Sequence, residues 1–68
     1  MNTALLEYEM KVRGMKKDEL CEKLGISKSA FYRKLNGTSE FTRSEIQNIV
    51  DSLGLESPVP IFFDDEVS

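Results

Sequence analysis

The stretch LGISKSAFYRKLNG, residues Leu24 to Gly37, decides how this chain folds. Gly25 tolerates the left-handed backbone that ends a helix. Two positions later Ser27 is a good N-cap, because its hydroxyl accepts from an amide of the following turn. The pattern predicts a helix from Lys28 to about Asn36, closed by Gly37. Phe31 and Leu35, one turn apart, share the side that enters a core, so positions 28, 29, 32 and 33 point away from it. That leaves Lys28, Ser29, Tyr32 and Arg33 as a basic and aromatic outer face.

Upstream, KKDELCEKLG sets Leu20 and Leu24 four apart with Cys21 beside them. Asp18 and Glu19 occupy the first turn, where unpaired amides favour negative charge. Lys16 is a poor cap. Two short helices joined at Gly25 and Ile26 have the length and turn chemistry of a helix-turn-helix. Leu20, Leu24, Ile26, Phe31 and Leu35 supply its inward side, and the small Cys21 permits close approach of the helices. Packing of this kind holds the outer residues of the second helix as a ridge whose width fits a DNA major groove.

Outside this pair, Asn2 or Thr3 can cap a first helix running to about Arg13, with Leu5, Tyr8 and Val12 at helical spacing, Leu6 and Met10 widening the apolar side, and Gly14 as the stop. Thr42 and Glu45 form a capping box for a later helix in which Ile46, Ile49, Val50 and Leu53 trace one apolar face before Gly54. Phe41 precedes that cap as a staple residue against Ile46. In the final segment Ser57 and Pro58 read as a cap and first helical position, and Pro60 restricts this element to a short helix or turn. Val59, Ile61, Phe62 and Phe63 form an apolar cluster that either folds back to close the core or builds a dimer interface. Residues 64–68 are expected to fray. The whole reads as all-α, with residues 1–56 as the helix-turn-helix unit and 57–68 as an apolar, then acidic, tail.

Size and charge bound the function. A chain of 68 residues makes one domain, since a unit this small buries only about 60% of its extended-chain surface. Net charge is −3, yet all nine basic side chains lie within residues 11–43, against four acidic ones. Residues 51–68 carry five acids and no base. Such asymmetry can give an acidic protein one positive face. Cys21 is the only cysteine and histidine is absent, so neither a disulfide nor a Cys/His metal cluster is expected. No glycine-rich phosphate loop and no pair of opposed, fixed carboxylates is present, which argues against an enzyme. Asp64, Asp65 and Glu66 lack calcium-loop spacing. With no basic leader and no apolar stretch of spanning length, a cytoplasmic protein without membrane association is expected.

The segment KKDELCEKLGISKSAFYRKLNG resembles the helix-turn-helix of the small phage Cro and repressor proteins, with their lambda-repressor-like DNA-binding domain. In that pattern a leucine and a small residue precede glycine, a branched apolar residue and serine, here Leu20, Cys21, Gly25, Ile26 and Ser27. The resemblance extends over most of residues 3–55. It departs at Lys17 and Lys28, where such proteins often carry glutamine, so the paired-glutamine arrangement does not transfer. Cys21 stands in place of the usual alanine.

The resemblance implies a compact, lambda-repressor-like bundle of four to five short helices and a sequence-specific regulator of transcription bound to double-stranded DNA. Most simply it is a repressor that occupies its operator as a homodimer, without a cofactor or small-molecule effector. Lys28, Ser29, Tyr32 and Arg33 are the candidate base contacts. Arg33 suits a two-bond contact with guanine, and Tyr32 suits a thymine methyl or a phosphate. Lys17, Lys34 and Arg43 are the candidate phosphate contacts, because long flexible charges neutralise a backbone without reading it. The competing reading is a small protein-interaction module, an antagonist or adaptor, that keeps the scaffold and binds a partner through Val59 to Phe63 and the acidic tail.

Overall fold

A computed structural model describes residues 1–63 of the chain. These form five helices, α1 (Thr3–Val12), α2 (Lys17–Leu24), α3 (Lys28–Leu35), α4 (Arg43–Leu53) and α5 (Val59–Phe62). The expected fraying of residues 64–68, and the acids Asp64, Asp65 and Glu66, lie outside the described residues.

Local chemistry explains the element ends. The Asn2 side chain caps α1, accepting from the Leu5 amide at 3.0 Å. Thr3, the alternative cap, instead donates its hydroxyl to the Leu35 carbonyl at 3.1 Å, so the start of α1 satisfies the end of α3. Because the Lys16 ammonium has no acceptor, only the reciprocal half of a capping box forms at α2: the Glu19 carboxylate accepts from the Lys16 amide at 3.0 Å. Ser27 accepts from the Ala30 amide at 3.1 Å to start α3. At α4 the box is complete, with Thr42 Oγ1 accepting from Glu45 N at 3.1 Å and Glu45 Oε1 from Thr42 N at 2.8 Å. Between α2 and α3 the chain turns at Gly25, whose φ of 72° and ψ of 30° lie in the left-handed region that a side chain would strain.

Every helix sends a side chain into one core. Leu6 and Met10 come from α1, Leu20 and Cys21 from α2, Phe31 from α3, Ile49 and Leu53 from α4, and Ile61 from α5. α2 packs on both α3 and α4, while α1 packs on α5. An edge-to-face row of rings crosses the interior. Phe31 meets Phe41 at 6.0 Å between centroids, and Phe41 meets Phe62 at 5.7 Å, a geometry that aligns ring edges with ring faces.

Two expectations need correction. The apolar side of α1 is Leu6 and Met10 with Leu5 beside them, whereas Tyr8 and Val12 are 60% and 58% exposed. Residues two apart on a helix point in nearly opposite directions, so a core that takes Leu6 must turn Tyr8 outward. At α5, Pro58 rather than Ser57 takes the cap position, and Ser57 Oγ accepts from the Val59 amide at 3.1 Å. Pro60 then falls within the first turn, where no amide bond is required of it.

The apolar cluster divides between core and surface. Ile61 is buried and Phe62 packs against the core, while Val59 and Phe63 are each 49% exposed. A backbone bond from the Asn2 amide to the Ile61 carbonyl ties this turn to the start of α1.

Candidate nucleic-acid interface

α3 is held from behind by Phe31, which is 0% exposed, and from its start by the Ser27 cap. Its outer face is Lys28, Ser29, Tyr32 and Arg33, all four exposed. Arg33 has no ion pair among the described residues. Its guanidinium therefore presents a free planar fork of donors suited to two parallel hydrogen bonds.

Three other cations of this region, Lys28, Lys17 and Lys34, are engaged within the chain. Lys28 Nζ lies 2.9 Å from Asp18 Oδ1, joining the start of α3 to the first turn of α2. The Asp18 hydrogen bond, then its charge, holds Lys28 above the ordinary lysine range. Lys17 Nζ lies 3.2 Å from Glu7 Oε2 on α1 and 5.4 Å from the centre of the Tyr32 ring. An ammonium over the ring face is attracted by its quadrupole, so α1, α2 and α3 meet around Lys17.

Lys34 is placed differently from the other candidates for phosphate contact. Its side chain is only 13% exposed, with Nζ 3.0 Å from Glu45 Oε1, 3.1 Å from the Glu40 carbonyl oxygen and 5.7 Å from the centre of the Phe41 ring. These contacts clamp the corner between α3 and α4. Arg43, exposed and without an ion pair among the described residues, opens α4 on that corner. Its position opposes the dipole preference for acids at a helix start.

The clamp carries a pH dependence. Burial by itself pushes the Glu45 carboxyl up, but the Thr42 amide bond and the Lys34 ammonium outweigh it and leave the group below the ordinary carboxylate range. A carboxylate lowered in the folded state stabilises the fold above its unfolded pKa, and this contribution is lost as pH falls through the folded value. The thermal midpoint should drop on acidification below the ordinary carboxylate range, and Glu45→Gln should be less stable at neutral pH with a shallower acid limb. Parallel acid limbs in the two proteins would refute the assignment.

Glu7 and Asp18 are the site residues that sequence reasoning missed. Asp18 reads as a partner of the helix dipole, and no spacing signal connects Glu7 to Lys17 across a turn. Cys21 is a packing residue. Burial, followed by the Asp18 charge, pushes its thiol up, which keeps it protonated and a poor nucleophile. Among the described residues no cluster of three or more His, Cys, Asp or Glu side chains is arranged to hold a metal ion, and no helix is long and apolar enough to cross a membrane.

A buried aromatic behind a short outer helix, a left-handed glycine corner and an exposed basic ridge define a helix-turn-helix module. The chain belongs to the Cro/C1-type helix-turn-helix DNA-binding domain family, whose pattern matches residues 6–57, more than half of its length. Modules of this family bind DNA and are not catalytic. No curated protein and no solved structure matches the chain.

Proposed function

We propose that the chain is a sequence-specific regulator of transcription that represses by occupying an operator, with α3 in the major groove. The observation that carries this reading is the outer face of α3, where Arg33, without an ion pair among the described residues, and an exposed Tyr32 stand over a fully buried Phe31. Ser29, Tyr32 and Arg33 meet base edges, Lys28 meets a base edge or a phosphate, and Lys17 and Arg43 meet phosphates. Lys34 serves by fixing the corner on which Arg43 stands. Residues 1–56 form the DNA-binding unit, and the tail begins at residue 57, with Ile61 and Phe62 packed on the core of that unit. Selection from a random duplex library, followed by a salt series, tests the proposal. Enrichment of a defined site supports it; failure to enrich any sequence even at low salt overturns it.

One module of this size buries limited DNA surface, so tight binding calls for two copies on a near-palindromic site with half-sites about 34 Å apart. Val59 and Phe63, each half exposed at α5, supply an apolar contact for the second copy. Phe63→Ser should yield a folded monomer with reduced operator affinity, by sedimentation and circular dichroism. A wild type that remains monomeric both free and on a two-half-site duplex would remove the dimer from the proposal. The same two side chains also suit a partner protein, and a chain that binds no DNA yet captures a partner through them would be an interaction module instead.

A further inference from the structure

We propose that Glu7 and Asp18 restrain DNA affinity by competing with DNA phosphate for Lys17 and Lys28, so that the recognition face is partly neutralised until a duplex displaces them. The inference rests on the DNA-binding reading above. Both pairs cross between helices, Glu7 on α1 to Lys17 on α2 at 3.2 Å and Asp18 on α2 to Lys28 on α3 at 2.9 Å. Both also stand at the surface. The side chains of Lys28 and Asp18 are 59% and 71% exposed, and those of Lys17 and Glu7 are 37% and 47% exposed.

Exposure makes these pairs displaceable. An exposed ion pair changes an equilibrium by no more than about five-fold, which one phosphate in a well-placed complex can match. The contrast with Lys34 and Glu45 is physical: that pair is 13% and 14% exposed and is built into a corner. Lysines left unpaired on this face would neutralise the backbone of any duplex, since phosphate contact carries no sequence information. With Glu7 and Asp18 in place, each lysine must give up a carboxylate to reach a phosphate. That exchange costs the same on any duplex that engages both lysines, so it lowers affinity for DNA as a whole and leaves discrimination to the base contacts of α3. Lys17 need not travel far, because the Tyr32 ring already provides a second resting place for its ammonium.

The test compares full-length wild type, E7Q, D18N and the E7Q/D18N double variant on a selected duplex and on a random-sequence duplex, each across a salt series. The double variant should bind both duplexes roughly 5- to 20-fold more tightly at low salt, with a salt dependence steeper by about 1 to 2 in log–log slope, and with little change in the preference for the selected site. Glu22, one turn beyond Asp18 and in no ion pair among the described residues, provides the control for simple charge removal. E22Q should shift affinity without steepening the slope, and D18N should lose its added slope when Lys28 is alanine. Equal slopes in wild type and the double variant, or an equal steepening in E22Q, would overturn the inference while leaving DNA binding intact. Absence of binding to either duplex by wild type and every variant would overturn the DNA-binding reading and this inference with it. Thermal melts of each variant confirm that the fold is retained.

Discussion

Phe31→Ala should lower the midpoint of thermal unfolding by roughly 15–30 °C, or leave the chain unfolded at room temperature. Phe31 is fully buried, and its ring packs edge-on against Phe41 at the junction between α3 and the rest of the core. Truncating a buried phenylalanine to alanine costs about 3–5 kcal/mol. A chain of this length holds only about 3–10 kcal/mol in total, and in so small a domain each kcal/mol moves the midpoint by about 4–8 °C. Phe31→Leu keeps most of the volume and should lose far less, which separates the cavity from any disturbance of α3 itself. Circular dichroism melts give both values. An alanine variant that melts within a few degrees of wild type would show that this ring does not hold the core together.

Arg33→Ala should leave the fold intact and reduce affinity for the selected operator by about 10- to 100-fold, the range of one two-bond contact to a base. The side chain is exposed and has no ion pair among the described residues, so its removal breaks no internal contact of that kind. Discrimination should relax at one position, a guanine, while affinity for random duplex changes little. Arg33→Lys keeps the charge but lacks the planar fork, and should not restore the guanine preference. Competition binding against duplexes carrying each base at that position reads out both variants. If Arg33→Ala retains full discrimination, α3 does not read its site through this residue.

Much of the fold could be read because the decisive signals are local. Ser27, Thr42 and Glu45 each bond a backbone amide within three residues of themselves, and Gly25 occupies the left-handed conformation that its place after Leu24 demands. Phe31 stands alone as the large apolar residue of α3's first turn and so leaves no choice of inward side. α1 offered such a choice. Leu5, Leu6, Tyr8, Met10 and Val12 surround much of its circumference, and only packing against the other helices, α5 among them, selects Leu6 and Met10 for the core. The site was less legible for the same reason. Lys34 finds Glu45 eleven positions along the chain, and Lys17 finds Glu7 ten positions back. A long charged side chain can turn toward solvent or toward a neighbouring helix, and the tertiary fold makes that selection.

The tight corners between consecutive helices bear on how quickly the molecule becomes active after synthesis. With most partners close along the chain and no strand pairing among the described residues, little loop-closure entropy must be overcome before contacts form. Helical domains of this kind reach the native state in microseconds to milliseconds, far faster than a ribosome adding about 5–20 residues each second. The delay between translation and readiness to bind is therefore set by production of the polypeptide, and acquisition of structure adds almost nothing to it.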